Sequence, residues 1–352
     1  MNHGSSSIEQ AHGGVAALLG SIPNDTLDLS VNLNPYGPDP ELVSILKASS
    51  WREYPDPHCQ EIRKAWAQKR SWDPECLLFG NGANELLWAA ARALLKAGDS
   101  FTCIEPVYSE FHRAAATVGA RAHPLLSSPE SSFRITWAQL SRHIKEGNTR
   151  VVYLCNPQSP TGGYHEPEEI EAWIKTHPEV TLILDESFLS LSPHFHKAKA
   201  SYPNNVLRIV SLTKDHALAG LRLGYCYGSW NIVAAMRAQI PGWSVSALAQ
   251  VAALHCAQND AFLDSSRSKI AADKQLFEAA LRERHLNPLP TASIYLMLAV
   301  PEAQQRAARL WKNHRVLVRS CSSYAYPDWW RLAIRPAAEQ ERFFAAFDEE
   351  CR

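Results

Sequence analysis

Apolar positions in the middle of the chain follow two different spacings. Glu85 to Lys96 (ELLWAAARALLK) repeats them three and four apart, which predicts an amphipathic helix closed by Gly98. Phe111 to Val118 and Glu166 to Thr176 also read as helices. Between them lie short unbroken apolar runs: Ser100 to Ile104, Val151 to Cys155 (VVYLC), Thr181 to Leu184 (TLIL) and Val206 to Val210. The later runs are rich in β-branched residues and bounded by Pro, Asp or Thr, as expected for strands buried on both faces of a mainly parallel sheet. The alternation predicts an α/β fold. After Trp243 the texture changes to longer amphipathic helices, Ala247 to His255 and Phe262 to His285, and then to a shorter strand-and-helix tail from Ser293. The first fifty residues are rich in Gly, Ser, Asn and Pro and read as an arm plus one helix, Pro40 to Ser49. The expected division is an arm and part of a small domain over 1–50, a large domain over 51–245, and a C-terminal small domain over 246–352.

Composition narrows the function classes. The 35 basic and 36 acidic residues give a net charge of -1, so nothing favours nucleic acid or an anionic membrane as partner. The eight cysteines are scattered, with no pair at metal-ligand spacing, so no metal is expected, and buried thiols suit a reducing compartment. No stretch reaches the roughly 18 apolar residues needed to cross a bilayer. A soluble, cytoplasmic protein is the expectation. The eleven tryptophans carry no functional reading.

Chemistry enters at Lys214. It follows an apolar run and sits where a buried strand ends, in Ser211-Leu212-Thr213-Lys214, with Gly220-Leu221-Arg222-Leu223-Gly224-Tyr225 six residues on. Desolvation there lowers an amine's proton affinity toward the range where it attacks a carbonyl. Ser211, Thr213 and Arg222 are donors suited to a phosphate. Pyridoxal phosphate requires such a pairing, an amine to bind its aldehyde and an anion site for its phosphate. Gly80-Asn81-Gly82-Ala83-Asn84-Glu85 precedes a helix, where backbone N–H groups converge on an anion. A dinucleotide fingerprint is the other reading, but the third glycine is missing and no apolar strand start precedes it. Asp185 follows an apolar strand; it either caps a helix or pairs with a protonated pyridine nitrogen. Tyr108 either stacks on a ring or packs in the core.

Together these residues resemble the pyridoxal-phosphate enzymes of the aspartate aminotransferase fold, from about His12 to Gln340. Asn156-Pro157-Gln158-Ser159-Pro160-Thr161-Gly162 looks like the family's loop beneath the cofactor's 3-oxygen, and Asp185-Glu186, Ser211-x-Thr213-Lys214 and Gly220-x-Arg222-x-Gly224-Tyr225 follow in the family's order. The resemblance implies a mostly parallel seven-stranded sheet flanked by helices, with a smaller α+β domain. It implies that Gly82, Ala83, Asn84, Ser211, Thr213 and Arg222 hold the cofactor phosphate. It also implies that Tyr54 reaches the phosphate of a neighbouring subunit, making a homodimer with shared active sites.

Two subgroups compete, histidinol-phosphate aminotransferase and the threonine-phosphate decarboxylase of cobalamin synthesis. Ala11-His12-Gly13-Gly14, the stretch Asp28 to Gly37 with Asn34 in it, Leu317 to Cys321, and Arg331-Leu332-Ala333-Ile334-Arg335 look like the decarboxylase. His12, Gly13, Asn34, Arg319, Arg331 and Arg335 are the expected substrate residues. Three arginines match a substrate carrying both carboxylate and phosphate. Arg331 and Arg335 are four apart, however, and read equally well as a surface pair. Two departures stand out: Ser159 where the family usually has Asn, and Phe188 where many aminotransferases have Tyr. A cofactor-binding protein without chemistry is the reading from another class, and the retained Lys214, Asp185 and Arg222 argue against it.

Overall fold

The computed structural model describes residues 23–199 and 201–350. Its main sheet contains β2 (Leu77–Asn81), β3 (Ser100–Glu105), β4 (Arg121–Ala122), β5 (Leu125–Leu126), β6 (Thr149–Cys155), β7 (Thr181–Asp185), β8 (Val206–Ser211) and β9 (Leu223–Tyr227). Their order is β2-β9-β8-β7-β6-β3-β4, with β5 also on β3. β4 and β5 both pair in parallel with β3 and so extend one edge on either side of Pro124, which accounts for eight short strands where seven are expected. Strands β3, β6, β7 and β8 are parallel, and only β9 runs against its neighbours. In β7 and β8 nearly every residue is buried, because helices cover both faces of the sheet.

A second, antiparallel sheet has the order β10 (Tyr295–Ala299), β13 (Tyr326–Ala333), β12 (Arg319–Cys321). Its core joins Tyr295 and Trp330 to Phe277 of helix Asp260–Glu283 and Phe343 of helix Ala337–Glu350. β1 (Leu27–Asp28) pairs in parallel with β11 (Val316–Leu317), which ties the early chain to this second unit.

Several boundaries differ from the expectations. The helix expected from Glu85 begins at Gly82 and follows β2 directly, so an apolar strand does precede the glycine turn. Leu77, Leu78 and Phe79 form that strand, a run too short to show a period. The helix expected from Phe262 starts at Asp260, because the Asn259 side chain accepts the Phe262 N–H at 3.2 Å and caps it. No described helix is long and apolar enough to cross a membrane.

Candidate active site

Because β9 alone is reversed, β2, β6, β7 and β8 all end on the same edge of the sheet, and the polar residues that follow them meet there. The edge opens into a cavity of about 350 Å³ whose wall includes Ala83, Asn84, Tyr108, Ser159, Asp185, Ser211, Thr213, Lys214, Arg222, Arg319 and Arg331. Residues separated by up to some 250 positions in sequence thus share one space.

The anion cradle is built from three pieces. Helix Gly82–Leu94 leaves its first N–H groups unpartnered within the helix and points their partial positive charge outward. Gly82 has φ +79°, and a Cβ on it would stand 2.8 Å from the Arg222 guanidinium. A Cβ on Gly224 would stand 2.7 Å from the Ala83 nitrogen. Both glycines are therefore required for Arg222 to lie against the helix start. Arg222 itself holds φ +55°, a costly conformation for a non-glycine residue and one that over-determined sites retain.

Lys214 lies in the four-residue helix Leu212–Asp215 directly after β8. Burial, then the cations of Arg331 and Arg222, push its proton affinity down to about 8. Its ammonium sits 5.7 Å from the centre of the Phe188 ring. Asp185 is buried, which raises the proton affinity of its carboxyl; donors from Ser187 and Tyr153, with Lys214, act in the opposite direction. Tyr108 is half-buried on the same wall, and burial raises its phenol.

Two arginines reach the cavity from the second sheet. Arg319, in β12, is buried and donates to Ser323 Oγ at 3.0 Å. Burial and Arg331 lower its hold on its proton. Arg331, in β13, donates to the Ser30 carbonyl at 3.1 Å and more loosely to Ser159 Oγ at 3.4 Å. Its Nε is buried without a partner among the described residues. Among the described residues no carboxylate forms an ion pair with Arg222, Arg319 or Arg331. The wall thus carries Lys214 and three arginines against the single carboxylate of Asp185.

The remaining expected residues fall elsewhere. Arg335 lies beyond the end of β13, is not on the cavity wall and pairs with Glu339 at 2.8 Å, four residues on, so Arg331 and Arg335 do not share one face. Asn34 is turned away from the cavity: its amide donates to the Asp215 carbonyl and to Ser266 Oγ, both at 2.9 Å, and its N–H to the Lys214 carbonyl at 2.9 Å. It closes the C-terminal end of the short helix that carries the lysine. Removing these bonds in Asn34→Ala is expected to cost about 1–3 kcal/mol of stability, read as a lowered denaturation midpoint. Tyr54 is 87% exposed and is not on this wall. His12 and Gly13 lie outside the described residues.

Asn32 takes the place expected of Asn34. It is 3% exposed, it lines the cavity, and neither its amide nitrogen nor its amide oxygen has a hydrogen-bond partner among the described residues. Such orphaned polar atoms suit an incoming polar ligand. A tight turn, with the Leu33 N–H on the Val31 carbonyl, separates the paths of Asn32 and Asn34. The cradle, the desolvated amine and the orphaned amide together fit an aldehyde-bearing phosphate ester. Asp39, Glu41 and His255 are grouped as metal ligands could be, but the Asp39 oxygens already accept from His255, Asn259 and the Glu41 N–H.

Comparison with known proteins agrees with this geometry. The family described as aminotransferase class I and II matches residues 24–347. The chain is 32% identical to the threonine-phosphate decarboxylase of Salmonella typhimurium, with 96% of each chain covered. It is 29% identical to the histidinol-phosphate aminotransferase of Moorella thermoacetica, over 92% of this chain and 85% of that one. Among solved structures, the histidinol-phosphate aminotransferase of Sinorhizobium meliloti in complex with pyridoxal-5'-phosphate superposes with a TM-score of 0.86 at 22% identity, covering 99% of this chain and 98% of that one. The L-threonine-O-3-phosphate decarboxylase of Porphyromonas gingivalis superposes with 0.79 at 21% identity, covering 92% and 98%. The chain belongs to the class I and II aminotransferase family, with the α/β fold and the pyridoxal phosphate cofactor of that family.

Proposed function

We propose that the chain decarboxylates L-threonine O-3-phosphate, or a close phosphorylated amino acid, to aminopropanol phosphate, a step of cobalamin side-chain synthesis. The observation that carries this reading is the pair Arg319 and Arg331, both on the cavity wall and neither neutralised by a carboxylate of the described residues. Arg222, Ser211, Thr213 and the backbone at Gly82, Ala83 and Asn84 suffice for the cofactor phosphate. Two further guanidiniums match one substrate with two anionic groups, and Asn32 adds an amide to them. Histidinol phosphate carries a phosphate but no carboxylate, and the oxo acid that completes its transamination carries no phosphate, so only threonine phosphate presents both kinds of anion at once. The 32% identity to a threonine-phosphate decarboxylase points the same way.

In this reading Lys214 binds the cofactor's aldehyde, and Asp185 and Tyr108 hold its ring by charge and by stacking. When bound, the cofactor accepts the electron pair of whichever α-carbon bond the protein holds perpendicular to its ring. Arg319 and Arg331 grip the substrate's anions and decide that orientation. The Lys214 amine, freed once substrate is attached, carries the proton that returns to the α-carbon. Ser159 Oγ lies within 3.4 Å of the Arg331 guanidinium and helps aim it.

A second copy of the chain completes the site. Tyr54 and Trp243 lie 5.7 Å apart and are 87% and 55% exposed, a patch suited to burial against a partner subunit, into whose cofactor phosphate Tyr54 reaches. The function is tested by comparing kcat/KM for threonine phosphate with that for histidinol phosphate plus an oxo acid. A clear preference for threonine phosphate supports the reading; a preference for histidinol phosphate assigns the chain to the aminotransferases.

A further inference from the structure

Asp185 ends β7 inside the sheet, in register with Cys155 of β6 and Ile209 of β8, at 4% exposure. Burial at such a place discourages ionisation. The groups that face it are the Lys214 ammonium, the Tyr108 phenol, the Cys155 thiol, Ser187 and Tyr153. Ser187 gives its backbone N–H to Oδ1 at 2.9 Å, a bond that nearly any residue at that position supplies. The Ser187 side chain donates to the carboxyl as well. The third donor comes from the neighbouring strand. Tyr153, two residues before the end of β6, donates its hydroxyl to Oδ2 at 2.7 Å. Its ring is fully buried and stacked on Phe111 at 5.3 Å, and Asp185 is the one partner of its hydroxyl among the described residues. The rest of Val151 to Leu154 is aliphatic, and phenylalanine would fill the same space. The hydroxyl is therefore not there for packing, and a phenol in this core is costly unless bonded.

We propose that Tyr153 is a positioning residue whose hydroxyl fixes the rotation of the Asp185 carboxyl and holds it as the anion that keeps the cofactor's ring nitrogen protonated. The inference rests on Asp185 being the partner of that nitrogen. A carboxylate that loses one of its three donors takes up a proton more readily, and it then competes with the ring for the single proton between them.

The test uses the full chain loaded with pyridoxal phosphate labelled with ¹⁵N in the ring, and reads the nitrogen's NMR shift at neutral pH. In Tyr153→Phe the signal should move from the protonated toward the neutral position. Turnover should fall by roughly 10- to 100-fold, the loss of a hydrogen bond to a charged group, with KM little changed. Difluorotyrosine at position 153, a stronger donor, should move the signal further toward the protonated position and keeps the test open should the phenylalanine variant fold poorly. An unmoved signal in both variants overturns the role of Tyr153. Asp185→Asn separates the two layers. If it shifts the nitrogen and Tyr153→Phe does not, only the present inference fails; if it does not, the assignment of Asp185 fails first.

Discussion

Lys214→Ala is expected to remove the protein's visible absorbance and its turnover together. The lysine is the one amine on the cavity wall, so no other side chain there substitutes for it. Loss of its acid–base role alone lowers rates by roughly 100- to 10,000-fold, and loss of the covalent link to the cofactor adds to that. The pH dependence carries a sign that can be checked. A proton affinity lowered from 10.5 to about 8 makes the free amine available as pH rises through about 8, and uptake of pyridoxal phosphate by the apo-protein should accelerate over that range. Arg331 is one of the two cations that depress it, so Arg331→Ala should raise the proton affinity again and move the acceleration to higher pH. An unchanged absorption spectrum in Lys214→Ala would remove the lysine from the site.

The arginines give the second large effect. Arg319→Ala and Arg331→Ala are each expected to weaken use of the phosphorylated amino acid by roughly 2–5 kcal/mol, the range for breaking a buried charged contact. That corresponds to about 30-fold to a few thousand-fold in kcat/KM. Bound cofactor should be retained in both, because Arg222 and the helix start hold its phosphate in this account. Arg335→Ala is the internal control. Its partner is Glu339, four residues on and away from the cavity wall, so its kinetics should stay near native. Normal kinetics in both Arg319→Ala and Arg331→Ala would displace the substrate pocket from this wall.

Why these residues and not their neighbours carry the site was legible only in part. Asp185 and Lys214 could be read from sequence because each follows an unbroken apolar run, and in a parallel sheet such runs end at the ligand edge. Their meeting depends on β9 alone being reversed, which fits the Gly220-to-Tyr225 motif but is not announced by it. Arg331 and Arg335 could not be separated by spacing. The difference is that β13 stops at Ala333, so only Arg331 faces the cavity from within the strand. Asn34 was the more conspicuous asparagine beside Pro35 and Gly37, yet one tight turn at Leu33 sends Asn32 to the cavity instead. Tyr153 gave no signal at all. It lies within an apolar run and reads as core, and its partner comes from the adjacent strand 32 residues on, a relation that local pattern does not contain.

Ser159 and Phe188 belong to the same account. Phe188 packs edge-on against Tyr295 at 5.0 Å between ring centres, and the Tyr295 hydroxyl donates to the Gln158 carbonyl at 2.8 Å. The loop bearing Ser159 is thus pinned from the second sheet by Tyr295, and Ser159 is left to meet Arg331.

The fate of the substrate's carboxyl carbon tests the central claim most directly. Threonine phosphate labelled with ¹³C at the carboxyl is incubated with the loaded enzyme, and carbon dioxide, aminopropanol phosphate and oxo acid are measured together. The account predicts that the label leaves as carbon dioxide in step with aminopropanol phosphate, with no oxo acid formed. Retention of the label in an oxo acid, with the amino group passed to the cofactor, would contradict it.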